Sequence, residues 1–136
     1  MLFRSWPSLK MNISLRRGER IFINGAVIRV DRKVCLELLN DATFLLEHHI
    51  IQPEEASSPL KKLYLAIQTI LMAPSEGNTA LLISLGMIKN YLLITNDSNL
   101  IHSLIQVKTY LESERPLEAL KCLRQLFQSN PQKASE

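Results

Sequence analysis

The sequence predicts an α+β protein, with a small N-terminal antiparallel β-sheet of about five short strands followed by a bundle of about four helices. Three observations carry this expectation. Between Met11 and Ile51 the apolar residues come in short β-branched and aliphatic runs broken by turn residues. From residue 52 onward their spacing becomes that of helices. The chain has 136 residues, 46% of them hydrophobic and 21% charged, which is about one ordinary domain with enough apolar surface for a core.

Residues 1–10, "MLFRSWPSLK", have no periodicity and read as a frayed extension ahead of Met11. Residues 11–51 form a basic β-subdomain whose strands are "NISL", "RIFI", "AVIRV", "VCLELL" and "TFLLEHHII". Turns fall at Arg17-Gly18, Asn24-Gly25, Asp31-Arg32 and Asn40-Asp41, and the pattern reads as a meander of about five short strands. Asn24-Gly25 is the strongest of these signals, because a type I′ turn needs positive φ at both central residues.

Residues 52–128 read as a helical subdomain. Ser58 can cap a helix that has Pro59 in its first turn, with Leu60, Leu63, Tyr64, Ile67, Ile70 and Leu71 at helical spacing before Pro74. Asn78 can cap the next, over 79–94; it is apolar on nearly every side and is expected to be the most buried. Asp97 or Asn96 opens a third to about Glu114, with Ile101, Leu104, Ile105 and Leu111 inward. Pro116 begins the last, striped by Ala119, Leu120, Leu123, Leu126 and Phe127. The polar run "SNPQKASE" (129–136) reads as a disordered tail. No internal repeat is evident.

The run "LLISLGMIKNYLLI" is interrupted by Lys89 and Asn90 and is too short to span a bilayer, and no signal-peptide pattern opens the chain. A soluble cytoplasmic protein with no membrane partner is expected. Cys35 and Cys122 are far apart with no CxxC spacing, so both read as small core residues. His48-His49 on a strand would point to opposite faces and could not share a metal. His102 has no Cys or carboxylate nearby, Gly18 and Gly25 belong to turns, and Glu54-Glu55 suit a helix start. No catalytic site, metal or cofactor is expected, and the chain does not read as an enzyme.

Charge is unevenly distributed. Residues 1–33 hold eight Lys/Arg against two Asp/Glu, whereas residues 34–136 hold eight against eleven, so the formal +3 belongs to the N-terminal end. Clustered cations attract polyanions. A two-residue loop at Asn24-Gly25 places Ile23 opposite Ala26, Phe22 opposite Val27, Ile21 opposite Ile28 and Arg20 opposite Arg29. One face then carries Ile21, Ile23, Ala26 and Ile28 for the core, and the other Arg20, Arg29, Phe22 and Val27. The facing arginines repel, which an anion or an acidic neighbour such as Asp31 would relieve. Cations beside an aromatic ring suit single-stranded RNA. The candidate RNA-binding residues are Arg16, Arg17, Arg20, Phe22, Arg29, Arg32 and Lys33. The competing reading packs Phe22 and Val27 inward while the arginines snorkel to water.

"SLRRGERIFINGAVIRVDRK" followed by "LELLNDATFLLEHHIIQPEEASSPLKKLYLAIQTILM" closely resembles the FlbT family of flagellin-synthesis regulators from flagellated alphaproteobacteria. The likeness is strongest over Met11 to Met72, above all in "GERIFINGA" and "QPEEASSPLKKLY". It implies a post-transcriptional regulator that associates with the 5′ untranslated region of flagellin mRNA, blocks translation and promotes decay. It also implies a link to a small protein, FlaF. Some members of the family act positively. The first strands are also similar to those of CsrA-type translational repressors, which lack the helical half. The alternative role is an adaptor or chaperone-like factor that binds FlaF or flagellin through its helices, with an indirect effect on the messenger. Homo-oligomerisation is left open.

Overall fold

The structure, a computed structural model, describes residues 11–40 and 42–129. The expectations for the extension 1–10 and for the tail beyond Ser129 lie outside the described residues. Five antiparallel strands precede four helices among the described residues, as the sequence pattern predicts. The chain divides into two compact units, 1–50 and 51–136.

The first unit contains β1 (Met11–Leu15), β2 (Arg20–Ile23), β3 (Ala26–Arg29), β4 (Val34–Leu38) and β5 (Phe44–Leu46). They do not form a meander. β1 pairs with β4, and β2 lies between β3 and β5 in a separate three-stranded sheet. Side-chain alternation explains the change: pairing β1 with β4 sets Ile13 against Leu36 and Leu15 against Val34 on one face. That face joins Ile21, Ile23, Phe44 and Leu46 of the other sheet in one apolar cluster. The opposite face of the β1–β4 pair carries Asn12, Ser14, Cys35 and Glu37, all exposed. Cys35 is therefore a surface thiol and not the core residue its type suggested.

The expected strand "TFLLEHHII" is shorter than its apolar length implies. β5 stops at Leu46, and Glu47–His49 form a 3-10 turn. The rings of His48 and His49 consequently lie side by side, centroids 4.1 Å apart, instead of on opposite faces. A second 3-10 turn, Pro53–Glu55, is closed by a capping box in which the Gln52 amide donates to Glu55.

In the second unit α1 (Pro59–Met72) starts as expected, with the Lys61 amide donating to the Ser58 hydroxyl at 3.3 Å. The buried Gln68 side chain clamps the backbone of Ile51, accepting from its N–H and donating to its carbonyl, both at 2.9 Å. After a 3-10 turn at Pro74–Glu76 comes α2 (Gly77–Ile94), then α3 (Ser98–Glu112), whose Asp97 cap accepts from Asn99 and Leu100. α4 (Pro116–Ser129) closes the bundle. Each helix packs on two others, in the cyclic order α1, α2, α3, α4. Leu60, Leu63, Ile67, Ile88, Leu104, Val107, Leu120 and Leu123 fill the centre. Arg124 donates to the Tyr64 hydroxyl at 3.0 Å, and burial pushes the Tyr64 phenol above its ordinary pKa against the opposing pull of Arg124.

Several expectations fail in this unit. α2 begins at Gly77, so Asn78 lies inside its first turn and does not cap it. α3 turns Leu100, Leu104, Val107 and Leu111 inward, so Ile105 lies on the outer face. α2 was expected to be the most buried helix, yet it buries only Ala80, Ser84 and Ile88. Its fully buried residues occupy one narrow stripe, and Leu82, Ile83, Leu93 and Ile94 on the opposite side are left exposed. With the turn before it, the helical run Pro74–Ile94 is long and apolar enough to cross a membrane by length and composition, contrary to the sequence reading. That is weak evidence of a span, because bundle helices pass the same test.

Candidate nucleic-acid interface

The hairpin β2–β3 forms in the register that Asn24-Gly25 demands. Arg20 faces Arg29, Ile21 faces Ile28, Phe22 faces Val27 and Ile23 faces Ala26. Asn24 and Gly25 both have positive φ, 47° and 91°, as a type I′ turn requires. The turn is fastened to the residue before β5: the Asn24 N–H donates to the Thr43 carbonyl at 2.9 Å, and the Thr43 N–H to the Asn24 side-chain oxygen at 3.0 Å. At the other end Gly18, at φ 84°, donates to Val30, and Val30 donates to Glu19. The Arg16 amide donates to the Glu19 carboxylate at 2.6 Å and tightens that turn.

All six candidate cations gather at this second end. The Arg20–Arg29 rung is the last of its strand pair, and Leu15–Val34 is the last rung of the β1–β4 pair. The two connections between those rungs carry Arg16 and Arg17 on one side, Arg32 and Lys33 on the other. The six side chains belong to exposed residues. Arg16 lies 3.6 Å from Glu19, and Arg32 pairs with its neighbour Asp31. Arg17, Arg29 and Lys33 have no ion pair among the described residues.

The repulsion between Arg20 and Arg29 is relieved by an acid, although not by Asp31. Arg20 donates to the Glu47 carboxylate at 2.6 Å, and that hydrogen bond holds the Glu47 carboxyl below its ordinary pKa of 4.5. Glu47 reaches Arg20 because β5 pairs with β2 and delivers the 3-10 turn beside it. No local pattern announces a contact across 27 residues.

The ring of Phe22 is not presented to solvent, as stacking on a base would require. It is 4% exposed and pairs not only with Val27 but also, across β2, with the buried Leu45. The extra strand β5 supplies an apolar neighbour that the hairpin alone lacks. Val27, 65% exposed, is the apolar residue left beside the arginines. Ala26 and Ile28 are also exposed, because β3 is an edge strand, so the face expected to be wholly core is core only along β2. Guanidinium and ammonium groups with an aliphatic flank are the chemistry this surface presents, and Phe22 is not an exposed ring on it. Among the described residues no group of three His, Cys, Asp or Glu could hold a metal ion.

The family model described as "Flagellar protein FlbT" matches residues 11–132. The chain is 47% identical over 114 residues, 84% of its length, to proteins of Brucella abortus, Brucella ovis and Brucella anthropi, covering 75% of each. All three carry the name "Probable flagellum biosynthesis repressor protein FlbT". No solved structure matches the chain.

Proposed function

This chain belongs to the FlbT family, and from that premise we propose that it is a regulatory repressor of flagellum biosynthesis that binds the 5′ untranslated region of flagellin mRNA. The observation that carries the reading is the convergence of Arg16, Arg17, Arg20, Arg29, Arg32 and Lys33 at one end of the β unit, three of them without an acidic partner among the described residues. Such a cluster meets successive phosphates of a single strand and leaves the bases free to be read by hydrogen bonds. Occupying the leader excludes the ribosome and holds the messenger for decay. The work takes place in the cytoplasm, where the messenger is. Its activity is binding, with no reaction assigned.

The names of the Brucella relatives support the repressing sign. The test is a titration of the protein against the flagellin leader and a scrambled RNA of equal length across a salt series. Tighter binding to the leader at every salt supports direct, selective recognition; equal weak binding to both, vanishing as salt rises, refutes it. The alternative, an adaptor for FlaF or flagellin, draws on the exposed apolar residues of α2, and it requires measurable affinity of the purified chain for one of those proteins.

A further inference from the structure

The outer face of α2 has no explanation in the fold. Leu82, Ile83, Leu93 and Ile94 are 71%, 50%, 77% and 79% exposed. With Thr79, Gly86 and Asn90, also exposed, they form a continuous arc opposite the buried Ile88, and none of the seven is charged. The four large side chains alone present on the order of 500 Å² of apolar surface, near the upper end of what a monomer exposes.

The arc is self-complementary. Leu82-Ile83 and Leu93-Ile94 lie about 8 Å to either side of the level of Ile88, and Gly86 and Asn90 lie about 3 Å to either side. A second α2 laid antiparallel about that level brings Leu82 of one copy level with Ile94 of the other, Ile83 with Leu93, and Gly86 with Asn90. A two-fold contact needs a patch that complements itself in this way. Gly86 adds an independent sign. It sits mid-helix, where glycine weakens a helix, yet a Cβ there would meet nothing within 4 Å. The chain's own packing does not require it, whereas close approach of another helix does. Beside the arc run shallow grooves, one toward α1 at Leu63, Met87 and Tyr91 with Lys62 at its rim, and one toward α3 at Leu85 and Leu92 rimmed by Lys89, Lys108 and Glu112.

We propose that the outer face of α2 is the isologous interface of a homodimer, two copies pairing antiparallel about the level of Ile88. Dimerisation gives each particle two basic β units, so one RNA can be held at two places.

Sedimentation equilibrium of the full chain tests the interface. At concentrations of about 10 µM the protein should sediment at about twice its 15.5 kDa mass. Leu82→Lys and Ile94→Glu should each weaken self-association by roughly tenfold or more, with unchanged circular dichroism because both sites are exposed. Gly86→Leu, whose Cβ would meet nothing within 4 Å in its own chain, should also dissociate the dimer. A wild-type chain that stays monomeric at about 100 µM, or a dimer whose mass none of these substitutions changes, overturns the proposal. So does a monomer that instead binds neutral phosphatidylcholine vesicles through the same residues.

Discussion

Replacing Arg29 with alanine should separate binding from stability. Arg29 faces Arg20 across the hairpin; Arg20 is engaged by Glu47, and Arg29 has no acidic partner among the described residues. Relief of a like-charge rung is worth roughly 0.2–1 kcal/mol, so the variant should melt at the same temperature or a few degrees higher. RNA affinity should move the other way. Each phosphate neutralised on a single strand contributes about 0.7 to the slope of log K against log salt, so six contacts give a slope of about −4 and the three unpaired cations alone about −2. Between about 50 and about 200 mM salt those slopes correspond to roughly 300-fold and roughly 20-fold losses of affinity. Arg29→Ala should bring the slope about 0.7 closer to zero in either case. Fluorescence anisotropy with labelled leader RNA, beside a thermal melt, reads both quantities. An unchanged slope and affinity in a folded Arg29→Ala protein would refute the assignment of this face.

Phe22→Leu should retain RNA binding and lose about 1–2 kcal/mol of stability, and Phe22→Ala should lose about 3–5 kcal/mol; selective loss of RNA affinity in a stable Phe22→Leu protein would mean the ring does meet a base. The depressed pKa of Glu47 means that the Arg20–Glu47 link contributes stability above the ordinary carboxylate range and loses it as pH falls through the lowered value. Carboxyl titration by NMR should place Glu47 below the ordinary glutamate value of 4.5, and Arg20→Ala should return it toward that value. Tyr64 behaves in the opposite sense: its raised pKa stabilises the fold below pH 10, and the contribution is lost as pH rises through the folded value. Tyr64→Phe should remove that alkaline dependence and lose about 1 kcal/mol at neutral pH, as judged by urea denaturation.

Local chemistry was the legible part of this chain. Asn24-Gly25 set the hairpin register to the residue, and Ser58-Pro59, Asp97 and Pro116 marked helix starts because capping and φ restriction act within a few positions. The family was legible too, in "GERIFINGA" and "QPEEASSPLKKLY". What depended on distant neighbours was not. Pairing of β1 with β4, the pairing of Phe22 with Leu45 of β5, and the Glu47–Arg20 contact all arise from one choice of sheet order that alternation along a single strand does not reveal. The error on α2 has another cause. Apolarity all round a helix signals burial only if everything that covers it belongs to the same chain, and nothing in composition separates a core helix from one that faces a second molecule.

Nesting the β2–β3 hairpin inside the β1–β4 pair has a kinetic consequence. Leu15 and Val34 are separated by residues 16–33, and joining them directly means closing that whole loop. If the hairpin forms first, the effective loop shrinks to its two short connections, which lowers the closure cost by about 1 kcal/mol. The inner step is the one that crowds Arg20, Arg29 and the four flanking cations together, while the apolar reward of Ile13, Leu15, Val34 and Leu36 arrives only afterwards. Electrostatic repulsion therefore sits early on the folding route. Refolding of the β unit should accelerate with ionic strength, a dependence opposite in sign to that of RNA affinity, and stopped-flow refolding across the same salt series would show it.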